Sequence, residues 1–186
     1  MTNITTEIKD AIKAAKTGGT IIYPTDTIYG IGCSMFANSA IDKICEIKKR
    51  EKKKPLSVAF SDLEQASQYS TLSNEDRGFI TSKLADKENG YTFIAKKKSI
   101  MFLHQCFNGP TIGIRIPNNA IAREIAKETG PIITTSANIA GENAPSEFNE
   151  LNQDVINAVD VAIQGICELK RHSIIIDLAT KQVLRK

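Results

Sequence analysis

Strand-sized apolar runs alternate with stretches of helical periodicity along most of the chain, and this alternation confines it to an α/β architecture. The strand-like runs are Thr20 to Tyr23, Leu56 to Phe60, Tyr91 to Ala95, Thr111 to Ile116, Ile132 to Thr135, Val161 to Gln164, Ser173 to Leu178 and Gln182 to Leu184. Pro24, which lacks an N–H and keeps Tyr23 extended, closes the first run and opens a polar loop. Helices are expected from Thr5 or Thr6, with Ile8, Ile12 and Ala15 on one face, and from Asn38 or Ser39, with Ile41, Ile44, Cys45 and Ile47. The first ends at Gly18-Gly19, and the second runs into a lysine-rich segment until Pro55 stops it. Leu63 to Tyr69, Asn74 to Leu84 and Asn119 to Glu128 complete the helical set, while the stretch holding Met101, Phe102, Leu103 and Phe107 fits neither template. With 186 residues, 41% of them hydrophobic, and no Pro/Gly-rich linker, we expect one domain over residues 1–186 around a mixed sheet.

Several function classes are excluded early. No run approaches the roughly 18 apolar residues that span a bilayer, and the first residues lack the apolar core of a secretory signal, so a cytoplasmic protein with no membrane role is expected. Cys33, Cys45, Cys106 and Cys167 form no CxxC pair and have no histidine at zinc-ligand spacing. Among Ile41, Ile44 and Ile47, Cys45 reads as a small buried hydrophobe. Gly30 and Gly32 begin a GxG without the third glycine of a dinucleotide fingerprint, and no Gly-Lys-Ser/Thr exists for a Walker loop. The histidines, His104 and His172, have no nucleophile at a recognisable spacing.

Four features carry chemistry. Thr25, Asp26, Thr27 and Tyr29 follow a strand directly, at the kind of carboxyl edge where open α/β sheets bind ligands; a tight loop satisfying its own backbone groups is the structural alternative. Lys48, Lys49, Arg50, Lys52, Lys53 and Lys54 put six cations into seven residues. A helix end facing the macrodipole explains one or two of them, and a phosphate or nucleic-acid site or a solvated face the rest. Thr134-Thr135-Ser136-Ala137-Asn138 sets hydroxyls and an amide at another strand exit. Arg115, inside the apolar run Ile112 to Ile116, requires an anion from the protein or a ligand.

Taken in order, YPTDTIYG, Lys48-Lys49-Arg50 with KPLSV, YTF, TIGIRIP, TTSAN and SIIIDL leading to VLR resemble the YrdC/TsaC family of threonylcarbamoyl-AMP synthases, from about Gly18 to Arg185. The resemblance implies a twisted, mostly parallel sheet around a positively charged concave surface. It implies ATP as substrate, held by Lys48, Arg50, Ser136, Asn138 and Arg185, with Mg²⁺ bound through the phosphates. Thr25, Arg115 and Ser173 would hold L-threonine or its carbamate, with Lys54 and Thr92 as further pocket-lining positions. Bicarbonate is the third substrate, and catalysis through Lys48 and Arg50 is a matter of positioning and charge neutralisation. The product would pass to a tRNA-modifying transferase complex that makes N6-threonylcarbamoyladenosine, with tRNA or double-stranded RNA as a weak ligand.

The chain departs from the family pattern at Gly141-Glu142-Asn143-Ala144-Pro145-Ser146, at Ile174, at the reduced glycine loop around Gly165 and at Asn89-Gly90. A short form of the family, without the additional C-terminal domain of longer members, is expected. Two rivals follow from the same resemblance. One is a YciO-like RNA-binding paralogue without threonine-dependent adenylation, and the other is the carbamoyl-transfer domain of hydrogenase-maturation enzymes.

Overall fold

In β2 (Ile21–Tyr23), Ile21 and Tyr23 join one apolar cluster while Ile22 joins another, so the strand is buried on both faces. The same split occurs in β8 (Ile132–Ser136) between Ile132 and Ile133, and in β9 (Val161–Ile163) between Ala162 and its neighbours. One cluster lies under α1 (Ile8–Lys16) and α5 (Ala120–Thr129), with Ala11, Ala15, Ala122, Ile125 and Ala126 facing the sheet. The other lies under α2 (Asn38–Ile47), α3 (Leu63–Tyr69), α4 (Asn74–Leu84) and α6 (Gln153–Ala158), which contribute Ile41, Ile44, Ala66, Ile80 and Val155. Helices on two faces of one sheet make a single α/β domain.

The remaining strands are β1 (Asn3–Thr5), β3 (Gly30–Ser34), β4 (Ser57–Ala59), β5 (Ser70–Thr71), β6 (Tyr91–Lys97), β7 (Thr111–Arg115), β10 (Ile174–Asp177) and β11 (Val183–Arg185). This computed structural model describes residues 1–99 and 104–186; Met101, Phe102 and Leu103 of the unassigned stretch lie outside the described residues, and Phe107 closes a 3₁₀ turn. The strands order as β1-β9-β2-β3-β8-β4-β7-β6-β10-β11, with β5 on the end of β6. The sheet is mixed: β1–β9, β2–β9, β4–β7 and β6–β10 run parallel, and the other six pairings run antiparallel. No helix among the described residues is long and apolar enough to cross a membrane.

Most expected elements form within a residue or two of their expected ends, and three corrections have physical causes. Gly30 to Cys33, expected to remain in the polar loop, forms β3, where glycine serves close packing and not flexibility. A Cβ on Gly32 would strike the Ile133 carbonyl and stand 2.8 Å from Ile132 Cγ2. The helix expected to reach Pro55 ends at Ile47, because Lys49 takes φ 50° and closes a Schellman turn. There the N–H of Lys49 donates to the Glu46 carbonyl at 3.0 Å and that of Arg50 to Cys45 at 2.8 Å. Thr5 accepts from the Glu7 N–H at 3.0 Å in a local turn and does not cap α1.

All four cysteines are free and buried, and burial pushes the Cys106 thiol up to about 12 and the Cys167 thiol to about 11. These are core residues in their present state. His104 is likewise buried, its Nδ1 accepting from the Cys106 N–H at 3.1 Å and its Nε2 standing 3.2 Å from Asp42.

Candidate active site

Residues paired across a sheet share a face, and one face here carries a polar row. Arg115 on β7 pairs with Thr92 on β6, Thr92 with Ile175 on β10, and Ile175 with Arg185 on β11. One step along, Ser57 pairs with both Gly113 and Thr134, and Thr134 with Gly32. The period-two alternation that sends Ile112 and Ile114 into the core therefore sends Arg115 to this opposite face, beyond the cover of α1 and α5.

Over this row lies a cavity of about 300 Å³. Its lining residues include Arg50, Arg115, Arg185, His172, Tyr23 and Tyr29, together with Thr25, Thr27, Ser57, Thr92, Thr134, Thr135, Ser136 and Ser173. No carboxylate is among these described lining residues. Burial pushes the Tyr23 phenol up to about 12, and burial followed by the nearby Arg185 lowers the basicity of His172. Both shifts favour the neutral ring.

One end of the cavity is built on a buried ion pair. Arg115 is bound to Asp26, donates to the Tyr91 carbonyl at 2.7 Å and to Thr27 Oγ1 at 3.2 Å. Thr27 Oγ1 is 2.9 Å from Thr25 Oγ1, which donates to the Ile28 carbonyl at 2.7 Å. Gly90 makes room for this pair, since a Cβ there would strike Thr27 and stand 2.8 Å from the Arg115 guanidinium. The Asn89-Gly90 turn is held by Asp86, which accepts from Tyr91 and Asn89; these bonds hold its carboxyl down at about 2. Next along the row, Ser173 Oγ is 2.9 Å from Thr92 Oγ1, and Arg185 donates to the Ser173 carbonyl at 3.0 Å.

The other end is formed by Arg50 and Ser136. Arg50 donates one guanidinium N–H to the Pro55 carbonyl at 2.9 Å, while its Nε is buried without a hydrogen-bond partner. A buried donor left unmade costs about 1–3 kcal/mol. Tyr29 ties the loops around the mouth: its hydroxyl donates to the Gly165 carbonyl at 2.6 Å, its N–H donates to Pro145 at 2.9 Å and its carbonyl accepts from Ala137 at 2.9 Å.

A family model for Sua5, YciO and YrdC proteins, described as "Telomere recombination", matches residues 13–186. The chain belongs to the Sua5/YciO/YrdC family. A putative threonylcarbamoyl-AMP synthase of Methanocaldococcus jannaschii is 33% identical over 170 residues, covering 90% of this chain and 78% of that protein. Among solved structures, E. coli YciO superposes with a TM-score of 0.83 at 28% identity, covering 100% of this chain and 96% of that one. P. abyssi Sua5 complexed with L-threonine superposes at 0.82 with 22% identity; it shares the fold, and the match covers 96% of this chain and 54% of that one. This chain thus spans about half the length of P. abyssi Sua5.

With the family established, the expected site residues divide in a way that their spacing does not reveal. Thr25, Arg50, Thr92, Arg115, Ser136, Ser173 and Arg185 line the cavity together. Lys54 does not line it and pairs with Glu51 at 2.8 Å. Lys48 and Asn138 stand behind its wall. The Lys48 ammonium, 3% exposed, donates to the carbonyls of Ser136 and Asn138, the latter at 2.7 Å, and to Asn138 Oδ1 at 3.3 Å. Burial, with the neighbouring Arg50, pushes it down to about 8. The six-cation run is accordingly dispersed, with Lys52 also paired to Asp42 at 2.9 Å. Unforeseen members of the wall are His172, set near Arg185 by the loop before β10, and Ser57, brought beside the expected hydroxyl cluster at Thr134 only by strand register.

Proposed function

We propose that this protein is a threonylcarbamoyl-AMP synthase, condensing L-threonine, bicarbonate and ATP into threonylcarbamoyl-AMP and pyrophosphate. The observation that carries this reading is a cavity lined by three arginines with no carboxylate among its described lining residues. Such a site suits a ligand bearing several anionic oxygens, and guanidinium groups hold phosphate and carboxylate in fixed orientation. The relationship to the M. jannaschii protein, and the fold shared with a Sua5 bound to L-threonine, support the choice of substrates.

In this reading threonine occupies the end formed by Thr25, Thr27, Arg115, Thr92 and Ser173. Arg115 and the hydroxyls orient its carboxylate and side chain. The nucleotide phosphates lie toward Arg50 and Ser136, and Arg185, bound to Ser173, meets them from the threonine side. The neutral threonine amine attacks CO₂ derived from bicarbonate and gives up a proton, forming the carbamate. A carbamate oxygen then bonds to the α-phosphorus as the bond to the pyrophosphate oxygen breaks. The arginines offset the charge gathered between two anionic reactants, and no nucleophilic side chain takes part. In this reading Mg²⁺ would be held by the phosphates, where it would screen their charge. The product is a mixed anhydride suited to transferring its threonylcarbamoyl group to a tRNA adenosine in a separate enzyme.

The test is pyrophosphate release by the purified protein in ATP, Mg²⁺ and bicarbonate, with and without L-threonine. Release should require threonine, and Arg50→Ala should lower kcat/KM by at least about a hundredfold, the scale for one strong transition-state contact. A second reading, an RNA-binding protein like YciO, draws on the full-length superposition with E. coli YciO. Absence of threonine-dependent release, together with duplex-RNA binding that weakens steeply with salt, would favour that reading.

A further inference from the structure

An ammonium group has three N–H donors and no acceptor. The Lys48 ammonium already has three protein acceptors: the carbonyls of Ser136 and Asn138, and Asn138 Oδ1. Its own backbone carbonyl accepts from the Ala140 N–H at 2.9 Å, so the end of α2 and the loop after β8 are joined twice. Asn138 completes the joint, since its Nδ2 donates to the Glu142 carbonyl at 2.7 Å. Arg50 differs in both respects, lining the cavity and keeping one buried donor without an acceptor. The left-handed residue Lys49 separates the two side chains.

We propose that Lys48 and Asn138 are positioning residues that form one internal joint, holding Ser136 and Arg50 on a common wall, and that phosphate contact falls to Arg50 and Ser136. Each two-residue spacing, Lys48-x-Arg50 and Ser136-x-Asn138, then contributes one group to the cavity and one to the joint. The inference rests on the synthase reading for what the cavity holds, and on the hydrogen bonding alone for the joint.

Hydrogen–deuterium exchange of the ligand-free full chain separates the two roles. Lys48→Met should speed exchange of the amides from Ala137 to Glu142 by about tenfold, through easier local opening, without comparable change in the α1 and α5 amides. Asn138→Ala, a variant that leaves the ammonium in place, should loosen the same segment to a lesser degree. Arg50→Met should leave the segment's exchange unaltered while weakening pyrophosphate binding measured by calorimetry. Adding Asn138→Ala to Lys48→Met should give less than the sum of the separate losses in kcat/KM. Unchanged exchange in both Lys48→Met and Asn138→Ala would overturn the joint, as would a Lys48→Met protein that behaves like Arg50→Met. Because exchange is read without substrate, this result stands apart from whether the wild-type protein releases pyrophosphate with threonine.

Discussion

Arg115 illustrates how a single residue ties stability to the site. A guanidinium only 6% exposed inside a sheet is tolerable because Asp26, Thr27 and the Tyr91 carbonyl meet it. Removing its counter-charge strands a buried cation. Asp26→Ala should therefore lower the free energy of unfolding by roughly 3–5 kcal/mol, read from urea midpoints, and Asp26→Asn, which keeps an acceptor, should cost less. The double variant Asp26→Ala/Arg115→Met should lie nearer the wild type than Asp26→Ala alone, since it leaves no orphan charge. A double variant as unstable as the sum of its parts would mean that the two residues do not act as a pair. The sequence exposed Arg115 as an anomaly in an apolar run. It could not identify the anion, because Asp26 lies 89 positions away in the chain.

At the scale of elements, the end of α2 sets the geometry of the phosphate wall. A lysine at φ 50° pays a left-handed penalty that glycine avoids, so Lys49→Gly should raise stability by about 1 kcal/mol in urea unfolding. A loss of stability would show that the Lys49 side chain, and not the turn, is what matters there. This turn also marks where sequence reasoning fell short. Glycine or asparagine signals a left-handed stop, and KKR carries no such signal, so Pro55 appeared to be the first barrier to the helix. The error in β3 is the reverse. The GIG glycines appeared to extend the polar loop, while Gly32 sits within the strand to admit the Ile133 backbone. Elements that depend on local periodicity, α1 and α5 among them, were legible because the apolar spacing lies within them. The polar row was not, because it is assembled by pairing among β4, β6, β7, β8, β10 and β11, and register between distant strands leaves no mark in a local window.

For the whole molecule, a formal charge of +3 understates how charge is placed. Acidic residues accompany the lysines on the exterior, in pairs such as Lys43–Asp160, Lys170–Glu147 and Lys181–Asp76, whereas Arg50, Arg115 and Arg185 converge on one cavity without a lining carboxylate. Asp26 offsets Arg115 from behind, and among the described residues no carboxylate pairs with Arg50 or Arg185. Burial and the nearby Arg115 already lower the basicity of Arg185, a sign of crowding among like charges. A bound polyanion relieves that repulsion in the folded state and has no equivalent site in the unfolded chain, so pyrophosphate should raise Tm. At about a hundred times its Kd the gain should be about 2.7 kcal/mol, or roughly 5–10 °C for a domain of this size. Raising the salt concentration should shrink the shift by screening the pair of charges that face solvent, and Arg50→Ala should shrink it further. Acetate at the same concentration should shift Tm less, because one carboxylate reaches only one guanidinium. An equal shift in Arg50→Ala and wild type would place the anion elsewhere on the surface, and with it the phosphate end of the proposed reaction.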